Sequence, residues 1–336
     1  MEFGLVYSIE KDAGDIRLAF SEAADQISAA EGMGYGVALI SEHHLVENDF
    51  LPSALIACAV VAARTRTIKV GPGVLLLPLF HPVHVAEDAA VLDVLSGGRL
   101  ILGLGQGYRK EEFDAFGVSL AERHSRLREG ATLIRRLWTE DRVTHEGRHW
   151  RLRDVPLHPK PLQKPAPPIW VAAKKASAVR LAGEVGDGWF ADPITPLSII
   201  RSNVPVFREA VRRSGRSAAQ AAFALYREIY VGHSDAAAWT EARTAMMEGY
   251  RNYLRWGHLV DDEGIPIPPE NDAVLEELAR KRFILGGPET CLEAVLRLKE
   301  ELGITHLIAR MKFPGLAQAL SMRSVRLFAE KVMPHV

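Results

Sequence analysis

IKVGPGVLLLPLFHPVHVAEDAAVLDVLSGGRLILGLG, residues 68–105, decides the fold. It opens on an aliphatic run over 68–77, passes through a helical pattern from Pro82 to Leu95, and closes on a second aliphatic run at 99–105. Short apolar runs without polar alternation suit strands buried on both faces, and a helix between two of them makes the strands parallel. The same rhythm extends in both directions. Upstream lie FGLVYS at 3–8, a helix over about 16–33, VALIS at 37–41 and the helical ALIACAVVAARTR. Downstream come a long helix over about 110–137, PIWVAA at 168–173, a helix over about 176–185, and WFAD at 189–192. A helix at about 196–213 precedes AAFALYREIYVG, and THLIAR at 305–310 is the last run. Eight strands alternating with helices predict an α/β fold closed into a (β/α)8 TIM barrel, in preference to an open doubly wound sheet. The chain reads as one barrel domain over 1–336 with insertions near 138–167 and 256–280. The first, THEGRHWRLRDVPLHPKPLQKPAPP, predicts a hairpin around Glu146-Gly147 and then an extended proline segment. The second, with GIPIPPEND, suits a lid or surface packing equally.

Composition narrows the partners. With 41 Lys and Arg against 42 Asp and Glu, the net charge of −1 provides no general field for nucleic acid or an anionic membrane. A small-molecule partner is expected. The opening MEFGLVYSIEKDAGD lacks the basic and long apolar regions of a secretion signal, and Arg64 and Arg66 close off the apolar run ALIACAVVAA. The expected location is the cytoplasm. Cys58 and Cys291 sit in apolar helical patterns and read as buried thiols, not as a redox or metal pair.

Function in such a barrel gathers where strands end and the next loops begin. Four such places carry chemistry. After the second strand, Ser41-Glu42-His43-His44 offers either a structurally satisfied histidine or an inward imidazole for proton transfer, while its neighbour packs or hydrogen-bonds in the wall. Adjacent histidines on an extended segment point to opposite faces, which argues against chelation of one metal ion. Gly71 and Gly73 interrupt a bulky third strand, for close approach of a flat ligand, a bulge, a strained peptide or tight barrel packing. GLGQGYR, with glycines at 103, 105 and 107, does not fit the dinucleotide fingerprint but can lay bare main chain against a ligand. Ala173, Lys174, Lys175, Ala176 and Ser177 turn a strand into a helix and combine cations with amide donors, which suits either phosphate chemistry, with Arg126 reaching the same anion, or ordinary solvated surface charge. Phe50, Phe80 and Tyr108 suit either an apolar pocket or barrel packing.

Together, Ser41-Glu42-His43-His44, the run VGPGVLLLPLFHPVHVAEDAAVLDVLSGGRLILGLGQGYRKEEFDAFG, the segment HPKPLQKPAPPIWVAA and, near the end, FILGGPETCLEAV resemble the luciferase-like monooxygenase family. The resemblance implies reduced FMN as cofactor, supplied by a separate flavin reductase, and oxygenation of a small organic substrate by O2 through a peroxyflavin. It matches His43 to the active-site histidine, with Glu42 or His44 orienting it, and Gly73-Val74 to a non-prolyl cis peptide beneath the flavin. It places Gln106, Gly107 and Tyr108 along the flavin, and Arg126 with the turn Lys174 to Ser177 at its phosphate. Two departures stand out: Gln106 replaces an arginine, and Lys174-Lys175 replace Glu-Ser. Because related barrels use a deazaflavin coenzyme at lysine-rich sites, hydride transfer is the alternative, and a noncatalytic flavin-binding protein is a third reading. A homodimer is implied as well. A metal-dependent hydrolase is disfavoured because carboxylates and histidines do not cluster at several strand ends.

Overall fold

The computed structural model describes residues 1–11 and 15–336. The chain begins with β1 (Glu2–Tyr7), α1 (Ile16–Glu31), β2 (Val37–Ile40), α2 (Ala54–Arg64), β3 (Lys69–Pro72), α3 (Pro82–Ser96) and β4 (Leu102–Leu104). Then follow α4 (Lys110–Ala115), α5 (Arg123–Thr139), the pair β5 (Arg142–Glu146) and β6 (Arg151–Pro156), β7 (Ile169–Ala172), α6 (Ala176–Val185) and β8 (Gly188–Ala191). The last part holds α7 (Leu197–Arg213), β9 (Ala222–Val231), α8 (Asp235–Arg255), α9 (Leu275–Arg282), β10 (Ile284–Gly286), α10 (Pro288–Leu302), β11 (His306–Arg310) and α11 (Gln318–Lys331).

The fold is the expected (β/α)8 barrel. Its strands follow the order β3-β2-β1-β11-β9-β8-β7-β4, and bridges from Val70 to Leu100 and from Leu75 to Leu104 join the two ends of that order. All eight anticipated strands are present. A ninth, β10, pairs in parallel with the end of β9 and lies within the segment FILGG, where no strand was anticipated. The helix anticipated over 110–137 is two helices, because Gly117 takes φ +67° and turns the chain between α4 and α5. In the first insertion β5 and β6 pair antiparallel with Glu146 opposite Arg151, and the proline-rich stretch carries cis bonds at His158-Pro159 and Lys164-Pro165. Within 256–280, Val260 bridges Pro266 and α9 begins at Leu275.

Backbone contacts divide the chain into two compact units, Met1–Ala38 with Phe190–Val206 and Ala222–Val336, and Leu39–Trp189 with Phe207–Ala221. In the second, β3 and β4 approach so closely that a Cβ on Gly71 would stand 1.7 Å from the Ile101 carbonyl oxygen. Gly71 therefore answers to backbone packing. Arg99 locks the start of this unit by donating to the carbonyls of Ala62, Thr65, Ile68 and Ser96, so the ends of α2 and α3 are tied to β3. In the first unit β1 pairs with β11 from Glu2 opposite His306, and β11 with β9 up to Arg310 opposite Glu228. Tyr230, Met246, Tyr250, Leu254, Leu275 and Phe313 form its apolar packing. Cys58 and Cys291 are both buried and unpaired, and burial pushes the Cys291 thiol up to about 12. No helix is long and apolar enough to cross a membrane, among the described residues.

Candidate functional site

The second unit gathers the chemistry. β2 ends at Ile40 and delivers Glu42, His43 and His44 in an extended turn, where successive side chains diverge. His43 is the one that meets reactive groups. Its Nδ1 lies 3.1 Å from Oε1 of Glu112, its Nε2 lies 3.3 Å from the Tyr108 hydroxyl, and its ring stands edge-on to Phe50 and Tyr108. An ionised carboxylate only accepts, so Nδ1 carries a proton and Nε2 is left to accept from Tyr108 or to exchange a proton with a bound molecule.

Glu112 comes from α4, next to the glycine-rich loop after β4. It is fully buried and also accepts from the His44 amide at 2.9 Å and from Arg109 at 3.4 Å; its Oε2 finds no protein partner among the described residues. Burial alone would raise this carboxyl, yet the His43 bond, the His44 amide and the Arg109 charge outweigh it and hold it below the ordinary 4.5. A depressed value adds stability that is complete above the unfolded value and is lost as pH falls through the folded one. Glu112→Gln should therefore lower the denaturant midpoint at neutral pH, by about 1–3 kcal/mol of stability. The gap to the parent should close in acid. A gap that stays constant with pH would sink the assignment.

The carboxylate that meets His43 is thus Glu112, and Glu42 is engaged elsewhere. Glu42 accepts from the backbone amides of Ala54 and Leu76, at 3.2 and 3.1 Å, which ties the start of α2 to the loop after β3. His44 packs in the wall against Phe80 and Phe116, its Nε2 3.4 Å from Glu42. No group of three or more His, Cys, Asp and Glu side chains is placed to hold a metal ion, among the described residues.

The other anticipated positions line the same unit. The Gly73-Val74 peptide is cis, and the Gly73 amide donates to the Ile40 carbonyl at 2.7 Å. Gln106 Nε2 stands 3.5 Å from His124, and Gly107 takes φ +69° with its Cα against Phe113, where a Cβ would come within 2.8 Å of the ring. Glycine alone fits there. Arg126, half-buried in the first turn of α5, donates from Nε to the Pro78 carbonyl at 2.8 Å and lies over the Trp150 ring. The carbonyl of Ala173 accepts from Trp189. Lys175, Ala176 and Ser177 are exposed at the start of α6, whose N-cap Lys175 supplies no side-chain acceptor to the first amides; Lys174 precedes them, partly buried. Arg128 pairs with Glu184, and Arg135 with Val185 and Asp187, so α5 and α6 run side by side in the same direction. Amide donors, two lysines and a guanidinium suit a phosphate-bearing cofactor. Glu112 was the residue sequence reading missed; its signal is the break at Gly117, which marks α4 as a separate short element.

A profile described as luciferase-like monooxygenase matches residues 1–306. The F420-dependent glucose-6-phosphate dehydrogenase of Kineococcus radiotolerans is 30% identical, with 95% of this chain and 94% of that protein covered. The oxygenase component of the flavin-dependent trigonelline monooxygenase of Acinetobacter baylyi is 30% identical over 55% of this chain and 52% of its own. Among solved structures, monooxygenase RslO1 from Streptomyces bottropensis superposes with a TM-score of 0.89 at 24% identity, over 100% of this chain and 99% of that one.

Proposed function

We propose that this chain, which belongs to the luciferase-like monooxygenase family, is the oxygenase of a two-component monooxygenase that takes reduced FMN from a separate reductase and oxygenates a small organic substrate. It is an oxidoreductase of a family whose members use flavin-type cofactors. The observation that carries the reading is His43, held by the buried Glu112 on one ring nitrogen and facing Tyr108 with the other.

The bound flavin would supply the redox chemistry. Arg126 and the turn Lys174 to Ser177 would hold its phosphate, and the bare main chain at Gln106 to Tyr108 would lie along it. His43 would move a proton at Nε2, with Glu112 fixing the tautomer at Nδ1, and the rings of Phe50 and Tyr108 would keep water away from that nitrogen. Resemblance to the Kineococcus dehydrogenase along nearly the whole chain supports a second reading, hydride transfer with the deazaflavin F420. Anaerobic titration with reduced FMN and with reduced F420, followed by oxygen-electrode measurement, separates the two. Tight binding of reduced FMN and oxygen uptake are expected; binding of reduced F420 alone, without oxygen uptake, would replace the first reading with the second.

A homodimer is part of the proposal. Ile56 and Val60 on α2, with Val91 and Leu95 on α3, lie one turn apart on each helix and remain exposed, Ile56 by 71% and Leu95 by 66%. Two adjacent helices with such an apolar stripe suit a second copy of the same face. Ile56→Asp with Leu95→Asp should convert a dimer to a monomer in sedimentation velocity, with the fold retained by circular dichroism. A parent protein already monomeric at working concentration would contradict this.

A further inference from the structure

The first unit contains buried polar groups that the proposed reaction does not use. Tyr226 and Glu228 are two residues apart on β9, so their side chains share a face, while Arg227 between them points the other way. Arg227 is occupied there by the carbonyls of Asp192, Pro193 and Thr195. On the shared face, Glu228 is 1% exposed and neither carboxyl oxygen has a protein partner; the Tyr226 hydroxyl and Arg310 Nε are likewise unpartnered, among the described residues. Arg310 is the cross-strand neighbour of Glu228, yet its guanidinium bonds to Glu10 at 2.9 Å. Native interiors seldom leave several such groups unmet at one place.

We propose that Tyr226 and Glu228 form a binding site in this unit for the hydroxyl group of an uncharged organic molecule. The charges already present select that class. Glu10, Asp192 and Glu228 weigh against an anion, while Arg310 and Arg227 weigh against a cation. A hydroxyl both donates and accepts, so it satisfies the carboxyl in either protonation state and also meets the tyrosine. Burial pushes Glu228 up to about 7 despite the two guanidiniums, which keeps both states accessible near neutrality. Burial pushes Tyr226 up as well, so it remains a hydroxyl. The Phe190 ring lies parallel to Tyr226, with centroids 5.9 Å apart at 9°, so aromatic surface adjoins the tyrosine and an aromatic alcohol is the fitting probe.

The inference rests on the oxidoreductase reading only in taking such a molecule as substrate, and binding without turnover tests it separately. Saturation-transfer NMR on the full chain, without cofactor, would compare benzyl alcohol with toluene, benzoate and benzylammonium. Benzyl alcohol should bind saturably and more tightly than the other three. Tyr226→Phe, which removes one buried oxygen, and Glu228→Gln should each weaken it about tenfold. Reduced-FMN affinity should be unchanged in both variants, so a failed cofactor reading would show separately. No saturable binding of benzyl alcohol to the parent, or equal affinity in the parent and Tyr226→Phe, would overturn the proposal, the latter indicating that the groups serve only an internal water.

Discussion

His43→Ala is expected to lower kcat by about two to four orders of magnitude, the usual worth of a positioned general acid or base, while reduced-cofactor affinity is retained. The expectation comes from the pairing of the ring with Glu112 at 3.1 Å and Tyr108 at 3.3 Å. Glu112 does not itself need to touch the reacting molecule; it is a positioning residue. Glu112→Gln should therefore reduce kcat by about tenfold or more, with KM little changed, because the amide can accept from Nδ1 but no longer fixes the tautomer by charge. Glu112→Asp should restore part of that loss. Residues acting as one unit are not additive, so the double variant His43→Ala with Glu112→Gln should be no slower than His43→Ala alone. Multiplying losses in the double variant would show two independent roles and defeat the pairing.

The parts of this arrangement legible in the sequence are those fixed by local pattern. Apolar runs at 37–41, 68–77 and 99–105 gave the strands because burial on both faces leaves no polar alternation. Extended backbone after β2 separates His43 from His44, and the structure sends one to Glu112 and Tyr108 and the other into Phe80 and Phe116. Long-range choice was not legible. Glu42 and Glu112 are both buried carboxylates close to the histidines, and no spacing rule tells which will cap α2 and which will meet Nδ1. The continuous helical pattern over 110–137 concealed the answer, since the propensities of 110–115 and 123–137 differ little and only Gly117 marks the turn that frees α4 to carry Glu112 inward. The cluster around Glu228 escaped for the opposite reason: YRE inside an apolar strand looks like ordinary alternation until Arg310 arrives from a strand some eighty residues later.

Gly71→Ala should prevent folding. The added methyl would stand 1.7 Å from the Ile101 carbonyl oxygen, and main chain cannot step aside as the end of a flexible side chain can. Relief requires β3 and β4 to separate, which breaks the bonds from the Ile101 amide to Val70 and from the Leu75 amide to Gly103. Each buried group so released costs about 1–3 kcal/mol, and a domain has only about 5–15 kcal/mol in total. Gly97→Ala is the internal comparison. Its φ of +71° brings conformational strain, but nothing lies within 4 Å of the new methyl, so the cost should stay near 1 kcal/mol. Thermal unfolding by circular dichroism should find Gly97→Ala a few degrees below the parent and Gly71→Ala without a cooperative transition. A cooperative Gly71→Ala with near-parent stability would mean that β3 and β4 stand farther apart than 1.7 Å implies. Under the proposed function that spacing would also matter to the chemistry, because β3 leads into Gly73-Val74 and β4 into Gln106 to Tyr108, so a milder change that widens it without unfolding the chain should lower cofactor affinity.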